Sequence, residues 1–366
     1  VWSPGDRGLY ELAVDAFLAG EIVDTVRAPL VCARVERVGE ALVDRRTSRS
    51  LRTARYDGRA AGLGFALSGE ALARDLSSLA EVGFEAVQFV GPASGRDFER
   101  TALELGLWPV SGDAWPLADG VPAVARGDGE ALLAAHARAV ARAIAAGQTL
   151  LLAVDGERGG PGVFDEHRRP KFAYHALRAA SGLPTVYPAT FWNGEPLRGP
   201  LDVYASGDSV ELFVGGVSLG RRVVGADPRA PFAAVFEDVQ RGQGDLRAVA
   251  YDGERVVAER TLAAPAPVER LLLTVEASGV PPGLPDHLWA HAIAVDADGR
   301  VQTDFAREVR FTFFGDLEPV GEARVRPEAG VASLLVRSLA AGNSTLSAAA
   351  GSVRADPIVI GVSSSD

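Results

Sequence analysis

The stretch Gly159–Leu177, GGPGVFDEHRRPKFAYHAL, divides the chain into two kinds of sequence. Before it, continuous apolar runs alternate with segments of helical periodicity. After it, nearly every segment alternates with period two. One packing cannot satisfy both periods, so the architecture must change here. The stretch itself reads as a Gly-rich loop, a short acidic turn and two arginines. A helix over Lys171–Ala180 follows, with Pro170 at its first position.

Residues 1–45 carry alternating segments at Leu9–Phe17, Glu21–Arg27 and Leu30–Val38, punctuated by Gly20 and Pro29. Three strands form only part of a sandwich, which takes about seven, so this ribbon needs further strands or a neighbour to cover it. Within 46–182, strands are expected at Leu51–Tyr56, Phe84–Val90, Leu107–Val110 and Thr149–Val154. Helices are expected from an N-cap at Ser68 to Val82, over Arg96–Leu105, and from a cap at Asp128 to Ala146. Apolar strands alternating with helices imply a parallel sheet. Residues 183–264 and 268–366 each read as a run of short strands joined by hairpin turns, the pattern of an immunoglobulin-like sandwich. The proline-bearing segment 263–267, AAPAP, joins them.

At 366 residues, 47% hydrophobic and 23% charged, the chain is long enough for about two to four domains. A net charge of −11 argues against nucleic acid or an anionic membrane as partner. No apolar run reaches the roughly 18 residues that insertion into a membrane needs, and no signal-peptide pattern opens the chain. The expectation is a soluble protein whose compartment the sequence leaves open. With no methionine, the chain is expected to be processed or to begin partway through a longer one. The single cysteine, Cys32, lies in an apolar run and reads as a buried thiol. Lys171 is the only lysine, while arginine is plentiful, a bias that reads as coding composition.

GVFDEHRRPKFAYHAL resembles the end of the catalytic barrel in glycoside hydrolase family 2, which includes β-galactosidases and β-glucuronidases. The matching positions are Gly162, Val163, Asp165, Arg168, Arg169, Pro170, Lys171 and Tyr174. The run from Val203-Tyr204 through Val210–Gly216 to Leu219-Gly220 is similar to the sandwich that follows that barrel, with Gly215 where the family usually has Asn. Ala292–Arg300 is similar to a further immunoglobulin-like domain of some members. Trp2-Ser3-Pro4 with Leu9-Tyr10 resembles the end of the family's central sandwich, and Leu67–Val87 its first barrel helix and second strand. The architecture this implies is multidomain, α/β plus all-β. It has a partial β-sandwich ribbon at 1–45 and a contracted TIM-barrel-like βα domain at 46–182. Immunoglobulin-like β-sandwiches follow at 183–264 and 268–366.

The family's acid/base glutamate follows an asparagine. Here the asparagines are Asn193 and Asn343, and neither precedes Glu. An eight-unit barrel takes about 250 residues, and 46–182 offers roughly half. Segments resembling the first, second, third and eighth strands are present, with Pro122–Ala125 a further candidate. The middle strands, which bear both catalytic glutamates in the family, are missing. A retaining glycosidase needs two carboxylates about 5–5.5 Å apart. The candidate substitutes are Asp113, Asp155 and Glu157, which follow strands at the end where barrel sites form; their plain alternative is loop solvation and helix capping. Trp108 and Trp115 offer faces for a sugar ring, or a core role. His287-x-x-x-His291 lies in a loop-to-strand region, without a zinc-site pattern. Asp296-Ala297-Asp298-Gly299 reads as a hairpin turn, and Gly156–Gly162 has no phosphate-loop lysine. No metal or cofactor is expected. The functional expectation is a degenerate family 2-like protein, catalytically inactive, acting as a carbohydrate-binding or scaffold protein. The alternatives are a residual retaining glycosidase and one subunit of a split glycosidase. The partners expected are carbohydrate and a second copy or subunit that covers the open sheet.

Overall fold

A computed structural model describes residues 9–30, 33–39, 41–59, 69–90, 95–110, 121–124, 129–148, 150–155, 159–192, 197, 199–241, 244–275, 287–340 and 342–362. Cys32 and the expected caps Ser68 and Asp128 lie outside them.

The first strands, β1 (Tyr10–Leu18) and β2 (Glu21–Leu30), pair antiparallel from Tyr10↔Leu30 to Leu18↔Glu21. Both turn residues, Ala19 and Gly20, have positive φ, the geometry that suits the twist of a two-residue hairpin. Tyr10, Leu12, Val14, Val26 and Leu30 share one face and are all exposed. Glu11, Asp15, Thr25 and Arg27 share the other, where Arg27 pairs with Glu11 and Thr25 donates to Asp15. A separate antiparallel sheet follows, made of β3 (Val35–Val38), β4 (Ala41–Asp44) and β5 (Arg49–Ser50). The expected single ribbon is thus two sheets, because the chain reverses at Gly39 and its next strand pairs forward, not back onto β2.

Next come β6 (Thr53–Tyr56), α1 (Gly69–Val82), β7 (Ala86–Phe89), α2 (Gly95–Glu104), β8 (Trp108–Val110), α3 (Glu130–Ala145), β9 (Leu150–Leu152) and α4 (Phe172–Ala180). The four strands form one parallel sheet in the order β8-β7-β6-β9. Parallel neighbours require crossovers, and the helices supply them while burying an apolar stripe each. Leu76 and Leu79 of α1, Phe98 of α2, Leu133 and Val140 of α3, and Ala173 and Leu177 of α4 all enter one core. Two helix starts differ from expectation. Gly129 occupies the cap position of α3, without a side-chain cap. The cap of α4 is Lys171, held extended because its backbone N–H is committed to the Val163 carbonyl, so Pro170 lies one step outside the helix.

Seven strands follow: β10 (Val186–Pro188), β11 (Leu201–Ala205), β12 (Ser209–Val214), β13 (Val217–Val223), β14 (Ala233–Phe236), β15 (Leu246–Asp252) and β16 (Arg255–Leu262). They make two sheets, β10-β11-β14 and β13-β12-β15-β16, around a shared core. Every residue of β11 is buried. Leu201, Val203 and Ala205 face the sandwich core. Tyr204 faces the helical core, and Asp202 pairs with Arg138 of α3. Period two is thus satisfied on both faces, and the sandwich is joined to the α3–α4 layer along this strand.

The last strands are β17 (Arg270–Val275), β18 (His287–Val295), β19 (Val309–Phe314), β20 (Leu317–Val320), β21 (Arg324–Val325), β22 (Val331–Ser338), β23 (Gly342–Ala350), β24 (Val353–Arg354) and β25 (Ile358–Val362). They form sheets β17-β18-β22-β20 and β21-β19-β23-β24, with β25 on β23, again around one core. His287 and His291 both lie on β18, about 13 Å apart along the strand and too distant to share an ion. Among the described residues no helix is long and apolar enough to cross a membrane.

Gly330 gives a test of this last sandwich. Its φ is +76, and a Cβ there would run into the Gln302 carbonyl oxygen. Gly330→Ala is expected to destabilise the sandwich by about 2 kcal/mol or more, seen as a lower urea midpoint.

Candidate functional site

The C-terminal edge of a parallel sheet is where functional groups usually gather. Here the chain leaves β9 through Ala153 and Val154 to Asp155. The Asp155 carboxylate has no solvent-exposed surface, and neither has its partner, Lys171. The Lys171 Nζ donates to Asp155 Oδ2 at 2.9 Å, to the Val124 carbonyl at 2.7 Å and to the Gly160 carbonyl at 2.9 Å. Three acceptors around one nitrogen call for three protons, so the group is an ammonium. Asp155 Oδ1 accepts the Gly162 N–H at 2.8 Å. The glycine-rich loop is the lid of this pair. A Cβ at Gly160 or Gly162 would stand 2.9 or 2.7 Å from Oδ1, so the loop can close only without side chains there.

Burial pushes the Asp155 carboxyl up to about 7, against the pull of the Lys171 charge and the Gly162 N–H. The same burial lowers Lys171, against the pull of Asp155. His136, buried on α3, is pushed down to about 3 by burial and by the Lys171 charge.

The two arginines of the junction point elsewhere. Arg168 adopts φ +64. Its Nη2 donates to Asp75 Oδ2 of α1 at 2.9 Å and to the Arg59 carbonyl at 2.7 Å. Tyr56, at the end of β6, donates to the same Asp75 oxygen. The guanidinium also lies over the Trp289 ring, 5.2 Å from its centroid. Arg169 donates to Asp165 Oδ2 and to Glu328 Oε2, each at 2.7 Å, and to the Val331 carbonyl at 3.0 Å. Three basic residues within four positions therefore fasten one loop to α1 and β6, to the last sandwich, and to the end of β9.

Asp155 is the one predicted carboxylate among the described residues; Asp113, Glu157 and Trp115 fall outside them. Trp108 starts β8, at the opposite end of the strands from Asp155. It is half-buried against the cluster of Leu42, Leu51, Ala86 and Val110. The structure does not bring it toward Asp155. Asp165, Glu166 and His167 could offer one ligand atom each within 4.8 Å. Both Asp165 oxygens are already taken, however, by the His167 and Arg169 N–H groups and by the Arg169 guanidinium. The positive charges of Arg168 and Arg169 also stand beside His167, which disfavours a cation.

An open cleft of about 710 Å³ lies between the two C-terminal sandwiches, beside the junction. Tyr187, Phe191, Arg260, Asp245, Arg300 and Thr303 are on its walls. Phe172, the first residue of α4, packs against the rings of Tyr187 and Phe191 at 5.9 and 5.1 Å. Thr303 Oγ1 donates to the Phe191 carbonyl at 2.8 Å. These groups come from separate segments, and no local sequence pattern announces them.

A family model described as "Domain of unknown function (DUF4982)" matches residues 198–258, within the first of these sandwiches. No curated protein matches the sequence. Solved structures do match. A β-glucuronidase from glycoside hydrolase family 2 superposes with TM-score 0.74 at 15% identity, over 100% of this chain and 54% of its own. A β-glycosidase from Bacteroides vulgatus gives 0.77 at 14%, over 99% and 70%. A glycosyl hydrolase family 2 member from Bacteroides cellulosilyticus DSM 14838 gives 0.70 at 14%, over 99% and 68%. The chain has the fold of glycoside hydrolase family 2 structures. The resemblance read from the junction and sandwich motifs holds at the level of fold, and the chain spans about half of the first of these proteins.

Removing one partner of a buried ion pair costs about 3–5 kcal/mol. Lys171→Met is expected to destabilise on that scale. Lys171→Arg is expected to do nearly as badly, because a planar fork cannot meet three acceptors converging on a point. Lys171→Met with Asp155→Leu should recover only part, since the Val124 carbonyl and the Gly162 N–H lose their partners. Chemical denaturation of the three variants checks the order. The unfolded Asp155 releases its proton near 3.8, and the folded one holds it to about 7. Between these values the folded state binds more protons, so this group's contribution to stability falls as pH rises. His136, lowered from 6.5 to about 3, opposes it, contributing stability that is lost as pH falls through that window. Asp155→Asn should therefore show a steeper loss of stability from pH 6.5 to 4 than the parent chain, measured by urea midpoints across that range.

Proposed function

We propose that the chain is a non-catalytic relative of the family 2 glycosidases that binds carbohydrate. Residues 46–182 are read as a contracted barrel. The sheet order β8-β7-β6-β9 supports this, since it is the order of the third, second, first and eighth strands around a barrel. The sandwiches at 183–264 and 268–366 are read as flanking domains. The carrying observation is the state of Asp155. It stands where a barrel enzyme would present a carboxylate, and it is closed off from solvent and held by Lys171. A retaining mechanism needs a second carboxylate about 5–5.5 Å away and room for a sugar. The sequence also has no Asn-Glu pair to supply the acid/base group. β-Glucuronidase and β-glycosidase are the names of the solved proteins; the part of their function read into this chain is sugar recognition.

The test is turnover of nitrophenyl β-glucuronide and β-galactoside beside direct binding of oligosaccharides by calorimetry. Binding without nitrophenol release is the expected result. Release that disappears in Asp155→Asn would overturn the reading and restore a residual glycosidase.

A further inference from the structure

We propose that the cleft between the two C-terminal sandwiches is a binding site for an acidic saccharide, with Arg260 as its anion receptor. The inference takes the word saccharide from the reading above; the demand for an anion stands on the cleft alone.

Arg260 lies near the end of β16, an edge strand. Its guanidinium sits over the Tyr187 ring, 4.6 Å from the centroid. His175 stacks on Tyr187 at 3.4 Å and 7°. A ring has two faces, so His175 fills one and leaves the other to Arg260. Stacking fixes the plane of the guanidinium while leaving its in-plane N–H donors free, which is how arginine is prepared for a carboxylate or sulfate. Among the described residues Arg260 has no ion pair and no hydrogen bond from its side chain. Arg300, on the facing wall, is only loosely held. Its Nη1 stands 3.7 Å from Asp245 Oδ2 and 3.9 Å from Asp298 Oδ2, beyond hydrogen-bond reach.

Asp245 decides the rest of the ligand. Its Oδ1 accepts the Ala264 N–H at 2.9 Å, while Oδ2, loosely paired with Arg300, accepts no hydrogen bond among the described residues. A ligand that satisfies both walls carries an anionic group for Arg260 and Arg300 and hydroxyl donors for Asp245. Phe191, on the cleft wall, offers apolar surface for the C–H side of a ring. At about 710 Å³ the cleft is within the size range of small-molecule sites. A uronate and a sulfated sugar share this chemistry.

The test uses calorimetric titration of the whole chain with three probes of equal length: an oligouronide, a sulfated oligosaccharide and a neutral oligosaccharide. Both acidic probes are expected to bind, with the neutral one weaker by roughly tenfold or more, the scale of one charge-assisted hydrogen bond. Tight binding of the oligouronide alone would assign the anion as a carboxylate, and of the sulfated probe alone as a sulfate. Arg260→Gln, at an exposed position that leaves the core intact, should remove that preference, and Arg300→Gln should reduce it. Equal binding of all three probes that Arg260→Gln leaves unchanged would overturn the cleft while keeping carbohydrate binding. If no saccharide binds, acidic or neutral, both readings fall. A matching melting temperature for Arg260→Gln and the parent excludes misfolding as the cause.

Discussion

The ammonium of Lys171 is the point on which the parts of this chain converge. It neutralises a carboxylate at the end of a parallel strand, gives the Val124 carbonyl its donor and adds a second donor to the Gly160 carbonyl, which also accepts the Val124 N–H. An isolated charge in such a place would cost several kcal/mol, and so would an unpaired carbonyl. The glycine-rich loop can close over β9 because the pair beneath it is complete. The loop's closure in turn sets the start of α4. From there Phe172 supports the aromatic rings of the cleft, and the neighbouring Arg168 and Arg169 reach α1 and the last sandwich.

Much of the fold was legible beforehand. The change of period at the junction separated the βα segment from the sandwiches, and the parallel sheet followed from apolar runs between helices. Strands β12, β13, β15 and β16 lie close to where alternation put them. What alternation did not reveal was β11 with both faces buried. A strand read for one core serves two, because Tyr204 and Asp202 meet α3 and α4. The short β10 went unread as well, since three residues are too few to show a period. The ribbon's division into two sheets depended on which neighbour each strand chose, and pairing is a long-range choice that local pattern does not encode.

The candidate site was legible as motif but not as role. Arg168, Arg169 and Lys171 stood out because they are charged and close together. Their partners, Asp75, Glu328 and Asp155, stand 93, 159 and 16 residues away, so nothing local could show that the charges turn inward. Asp155 drew notice as a carboxylate at a strand end, and its environment made it half of a buried pair. The cleft residues Arg260 and Tyr187 have no sequence signal at all. They meet only because β16 and β10 are brought together by the folding of the sandwich.

The placement of Lys171 has a consequence for how this protein meets reactive chemistry. It is the only lysine in the chain, and its side chain is wholly enclosed. The folded chain therefore presents no ε-amine to acylating reagents, crosslinkers or ubiquitin-type conjugation. Any adduct at that nitrogen records a moment when the glycine loop lifted from β9. The rate at which Lys171 is modified would then measure the free energy of one local opening, at a place where several parts of the structure are pinned together.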